Sequence, residues 1–197
     1  MQSLPSEASP FDSIDLCVQG QGVKYSHGGS PGRLILSKRP LTDIMVVEFQ
    51  TYLIRRINIY ATISGVRFGF AHWPNNYLQD INPILAGLQT GALQTDFAND
   101  MIQNNPDVNI GDFNSGPDYQ PDGHNLLLQN GYQPLFSQPT YCPDPTHASF
   151  PPCQDALGPL SIDNIYIKNN VGVCRLQTFA EKPVSDHIGV SASAFCE

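Results

Sequence analysis

Residues 56–72 constrain the fold of this chain more than any other stretch. Arg56 to Ile63 alternates, with Ile57, Ile59, Ala61 and Ile63 on one side, and Val66 to His72 alternates again after Ser64-Gly65. Two period-two runs joined by two turn residues predict a tight β-hairpin. A two-residue loop sets Ile63 opposite Val66 and Ala61 opposite Phe68. His72 then ends the ladder on the face of Val66, Phe68 and Phe70. There it reads equally as a half-buried histidine satisfied by a backbone carbonyl or as a group displayed at a strand end.

Other strands follow from the same patterning. Gly32 to Lys38 and Met45 to Phe49 read as strands, as do Val108 to Asp112, residues 161–167 and the terminal residues 184–195. Val171 to Leu176 reads as a strand able to pair with 161–167. Asn82-Pro83 can open a helix whose apolar spacing (Leu85, Leu88, Ala92, Leu93, Phe97, Met101) runs to about Asn104, where Asn105-Pro106 stops it. Asn125 to Gln129 reads as a short helix closed by Asn130-Gly131. Residues 1–31 show no sustained periodicity and read as irregular, and residues 134–159 as a long Pro-rich loop of the functional or mobile kind. The expected organisation is an irregular 1–31 followed by one domain over 32–197.

Only 14% of residues are charged, against 17 Pro and 16 Gly, which favours a strand- and turn-rich fold. The net charge of −8 and the lack of any basic cluster beyond Lys38-Arg39 and Arg55-Arg56 argue against a basic nucleic-acid clamp. No apolar run is long enough to span a membrane. The five cysteines (17, 142, 153, 174, 196) lack metal-binding spacing and fit a secreted, disulfide-bonded protein better than a cytosolic one. An odd count leaves one thiol over. No signal peptide precedes residue 30 and there is no N-x-S/T sequon.

The chemistry concentrates in N-I-G-D-F-N, residues 109–114. An alternating strand ends at a glycine and then offers Asp112 and Asn114, which lie two residues apart and so share a face, with Phe113 turned to the core. A carboxylate there can hold a hard cation or a water, and a carboxamide can donate to a phosphoryl oxygen. The same residues also make good Asx-turn chemistry. Downstream, Asp163 enters an otherwise apolar face shared with Ile165 and Ile167, where a carboxylate wants a partner. Asp186-His187 introduces the last strand.

Taken in order, G-D-F-N (111–114), S-I-D-N-I-Y-I (161–167) and S-D-H-I-G-V (185–190) resemble the endonuclease/exonuclease/phosphatase superfamily of metal-dependent phosphodiesterases. G-R-L-I-L-S-K-R-P (32–40) is similar to that family's "G-hydrophobic-LSR-P" strand. G-F-A-H-W (69–73) sits where its deoxyribonuclease and sphingomyelinase branches carry a strand-end histidine, and Gln138-Pro139-Thr140-Tyr141 resembles the "P-T-Y" before the I-D strand. The resemblance implies an α+β fold: a layered α/β sandwich of two packed, mostly antiparallel sheets flanked by helices. It implies Asp186 as a ligand of Mg²⁺ (or Mn²⁺ or Ca²⁺), and His187 acting at phosphorus as base or phosphate-stabilising cation. Asp163 would fix the His187 tautomer. Asp112 would orient the nucleophile, Asn114 donate to a non-bridging oxygen, and His72 contact phosphate or protonate the leaving group.

The chain also departs from the family. Upstream of the LSR strand the family carries a strand ending in Asn and then a Gln-Glu pair whose Glu is the principal metal ligand. Only 31 residues precede Gly32, with neither feature, and Glu7 stands in a loop-like L-P-S-E-A-S-P. The sequence therefore predicts an N-terminally truncated member lacking the family's first strands. The expected function is hydrolysis of a phosphodiester (nucleic acid or a phospholipid headgroup) by a secreted monomer, impaired if that ligand is missing. The alternative is a non-catalytic relic or binding module that keeps the fold.

Overall fold

The structure, a computed structural model, describes residues 12–16, 33–50, 55–74, 93–141, 160–168, 170–179, 187 and 189–194. It is α+β and mostly sheet. Strands β1 (Asp12–Leu16), β2 (Arg33–Ser37), β3 (Leu41–Gln50), β4 (Arg55–Ile63) and β5 (Val66–His72) precede helix α1 (Gln94–Asn104). Then come β6 (Val108–Asp112), helix α2 (Asp122–Gln129), β7 (Tyr132–Pro134), β8 (Asp163–Lys168), β9 (Val173–Phe179) and β10 (Gly189–Ala194). Six strands form one mixed sheet in the order β3-β4-β5-β6-β8-β7, in which only the β5–β6 pair is parallel.

The hairpin has the predicted register, with Ile63 opposite Val66 and Ala61 opposite Phe68. Ser64 (φ 51°) and Gly65 (φ 82°) are both left-handed, the geometry whose twist matches that of the flanking strands. β3 runs longer than Met45–Phe49 and is bulged between Thr42 and Met45, where Asp43 takes φ 49°.

Alternation gives the sheet two apolar faces. On one, Tyr60, Ala71, Trp73, Phe113 and Tyr166 pack with Phe97, Ala98 and Met101 of α1 and Leu127 of α2. On the other, Val108, Ile165 and Ile167 meet Val190 and Ala192 of β10, while Ile57 and Ile59 meet Ile35 of β2. α1 starts with the Asp96 carboxylate accepting from the Leu93 N–H at 2.7 Å. It stops at left-handed Asn105 (φ 55°), followed by Pro106. The upstream part of the expected helix, 82–92, lies outside the described residues.

Two sequence expectations are corrected. Residues 12–16, read as irregular, form β1, because antiparallel pairing with β2 satisfies their backbone groups whatever the periodicity. The 171–176 segment pairs with the last strand, as β9–β10, and not with β8, whose two edges are taken by β6 and β7. Among the described residues, β1–β2 and β9–β10 are separate two-stranded sheets and not one continuous second sheet.

Candidate active site

Three chemistry-bearing residues meet because of register alone. Asp112 at the end of β6 is directly opposite His72 on β5 and directly opposite Asp163 on β8. All three fall on the face of Phe68, Phe70, Ile110 and Ile165, so their side chains stand in a row across adjacent strand ends. Gly111 makes the close approach possible. It holds φ 153°, and a Cβ there would collide with the carbonyl oxygen of Ala71 on β5.

His187 joins the row from the start of the last strand. Its Nδ1 lies 2.7 Å from Asp163 Oδ2, and its ring centroid is 4.6 Å from that of Tyr141, with which it also shares a backbone bridge. Asp163 is itself held by its N–H, which donates to Thr140 Oγ1 at 2.9 Å. A carboxylate can only accept, so Nδ1 carries the proton, and Nε2 holds a lone pair whenever the imidazole is neutral. On the opposite flank His72 Nε2 lies 3.5 Å from Asp112 Oδ2, longer than a good hydrogen bond.

Burial, and next the negative charge of Asp163, push the Asp112 carboxyl up to about 6. The Asn114 N–H, His187 and Arg56 oppose this rise. One ligand atom each of Asp112, Asp163 and His187 lies within 4.8 Å of the others. Two mutually repelling carboxylates that offer hard oxygens are a donor set suited to a divalent cation such as Mg²⁺, Mn²⁺ or Ca²⁺. His187 Nδ1 is already engaged by Asp163, so the carboxylates are the fitting ligands.

The row thus brings together four of the residues expected from sequence: His72, Asp112, Asp163 and His187. Asn114 stands differently. The strand ends at Asp112 and Asn114 is left-handed (φ 45°), so the premise of a shared strand face fails. Its N–H donates to Asp112 Oδ1 at 2.9 Å, an Asx-turn, and its Nδ2 donates to the Trp73 carbonyl at 3.0 Å. G-D-F-N is therefore an Asx-turn that closes the strand carrying Asp112. Asp186 and Glu7 lie outside the described residues.

Phe113 and Trp73 are fully buried, their rings edge-on at 4.9 Å, which makes both core residues. His124, given no role by the sequence analysis, is a buried residue of α2, with Nδ1 2.7 Å from the Tyr166 hydroxyl. Burial holds its pKa below the ordinary histidine value. Sequence reasoning gave Thr140 no role and passed over Gln94. Thr140 lay in a recognisable P-T-Y, but nothing marked Gln94 as buried.

Among the described residues, then, a six-stranded mixed sheet with both helices packed on one face ends in an Asp/His row whose carboxylates suit a cation. The chain matches the model of the Endonuclease/Exonuclease/phosphatase family over residues 6–187, and it belongs to that family. The match starts upstream of Gly32 and takes in Glu7. No curated protein sequence is matched. Among solved structures, the chain is similar to the 3′ phosphatase NExo from Neisseria bound to a product DNA hairpin (18% identity, TM-score 0.59, 93% of this chain and 79% of that one). It is also similar to a mannosyl-6-phosphatase from Bacteroides thetaiotaomicron (14% identity, TM-score 0.57, 95% and 78%). A family protein from Leptotrichia buccalis gives 14% identity and TM-score 0.58 over 94% and 72%. At these identities the likeness is one of fold.

Proposed function

We propose that this chain is a divalent-metal-dependent phosphodiesterase whose reaction centre is the row His72, Asp112, Asp163 and His187. The observation that carries the reading is the 2.7 Å Asp163–His187 pair set in register beside Asp112. A divalent cation, Mg²⁺ first, supplies charge neutralisation at the phosphoryl group. Asp112 and Asp163 offer it oxygens, and Asp186, next to His187, belongs to the proposal on its motif alone. Asp163 fixes the tautomer of His187, whose Nε2 takes a proton from the attacking water. His72, at 37% side-chain exposure, is accessible enough to protonate the leaving oxygen or contact phosphate. Asn114 contributes by aiming its backbone N–H at Asp112, while its carboxamide Nδ2 donates to the Trp73 carbonyl.

The DNA-bound 3′ phosphatase among the structural neighbours supports a nucleic-acid type of phosphodiester, with a phospholipid headgroup as the other candidate. The net charge of −8 fits a site that relies on the cation and not on a basic groove. The second sheet of a full sandwich, a monomeric state and secretion with disulfides complete the proposal, the last supported only by the five cysteines, none of whose side chains is among those described.

The test is turnover of bis-p-nitrophenyl phosphate in Mg²⁺ against EDTA, for wild type and His187→Ala. Activity that needs the metal and falls roughly 10²–10⁴-fold in the variant supports the enzyme. Metal-independent or undetectable turnover in both leaves the relic or binding-module reading.

A further inference from the structure

The geometry points to Gln94 as a positioning residue that sets the spacing of His72 and Asp112, an assignment that rests on the hydrolase reading above. Gln94 is the first residue of α1 and only 2% exposed. Its Nε2 faces three oxygens: the Pro74 carbonyl at 3.0 Å, the Gln120 Oε1 at 3.0 Å, and the Asn114 carbonyl in a short contact. Three acceptors around one nitrogen fix which way the amide is turned.

Where those carbonyls sit gives the residue its role. The parallel ladder of β5 and β6 makes its last backbone bond just beyond the row, from the Trp73 N–H to the Asp112 carbonyl at 2.9 Å. Beyond that point no backbone bond joins the two chains among the described residues, and Pro74 on one and Asn114 on the other are buried residues whose carbonyls both face the Gln94 amide. The Gln94 amide bridges both and stands in for the missing rung. Two further bonds tie the bridge to the reacting groups. The Asn114 N–H reaches Asp112 Oδ1 at 2.9 Å, and the Asn114 Nδ2 reaches the carbonyl of Trp73, the residue after His72, at 3.0 Å. Gln94 thus touches neither His72 nor Asp112 but holds the two turns from which both hang.

The test compares Gln94→Met, which keeps length and loses the donors, with Met101→Ala, a buried change in the same helix remote from the row. Two readouts are taken well below the melting transition: Mg²⁺-dependent hydrolysis of bis-p-nitrophenyl phosphate, and amide hydrogen exchange over residues 112–116. Gln94→Met is expected to lower kcat on the order of 10²-fold with little change in KM, since a small misplacement of reacting groups acts on the transition state. Exchange over 112–116 should quicken by about tenfold as the turn loosens. Met101→Ala should lower Tm without either effect. Unchanged kcat in Gln94→Met overturns the assignment, whatever exchange does, and so does an equal kcat loss in Met101→Ala. A wild type without metal-dependent turnover removes the proposed function instead. The exchange readout then stands by itself, and unchanged exchange refutes the bridge.

Discussion

Asp112→Asn should stabilise the metal-free protein while abolishing its activity. Burial and the neighbouring Asp163 raise the Asp112 carboxyl from its ordinary 3.8 to about 6. Its folded form therefore binds a proton more readily than its unfolded form between those values. By linkage, stability is full below about pH 4, falls as pH rises through about 6, and stays reduced above it. At 1.36 kcal/mol per pH unit the rise corresponds to about 3 kcal/mol at neutral pH, an upper figure for a group with some solvent access. For a domain of this size that is a gain of roughly 6–12 °C in Tm. The substitution keeps an oxygen to accept the Asn114 N–H, so the turn survives. The assay is thermal unfolding in EDTA from pH 4.5 to 8. Wild type should lose Tm across that range relative to the variant, and added Mg²⁺ should narrow the gap. A variant that melts at or below wild type at pH 7, or a pH slope equal in both, refutes the electrostatic account.

Asp163→Asn should leave the circular dichroism spectrum unchanged yet lower Mg²⁺-dependent kcat by about 10²-fold or more, because His187 loses the acceptor that fixes its tautomer. Phe113→Ala should cost about 3–5 kcal/mol in urea unfolding, since its fully buried ring contacts both Trp73 and Tyr166 edge-on. If the chain is secreted with disulfides, fewer than five thiols should react with Ellman's reagent under denaturing, non-reducing conditions. Five reactive thiols would sink that proposal.

The hairpin was legible because alternation and a two-residue turn dictate both partners and register. The wall was legible for a different reason: Asp112, Asp163 and His187 occur in a recognisable order, while their adjacency depends on β6 pairing with β5 and β8, which no local pattern encodes. β1 escaped notice because five residues with scattered apolar positions carry little periodic signal, and its partner strand supplies what holds it. The partner of β9 could not be read for the same reason. Gln94 and His124 were missed because polar residues beside turns read as solvated. Only tertiary packing reveals that one faces buried carbonyls and the other a tyrosine hydroxyl. Asn114 shows the opposite case: of the two readings of one tetrapeptide, the Asx-turn describes the geometry and the shared strand face does not.

The most direct test of a water attacking phosphorus at this row is Mg²⁺-dependent hydrolysis of an aryl phosphodiester in ¹⁸O-enriched water, with the label located by mass spectrometry. The account predicts one solvent oxygen in the phosphate-bearing product and none in the released phenol. Label in the phenol, or no turnover with the metal present, would contradict it.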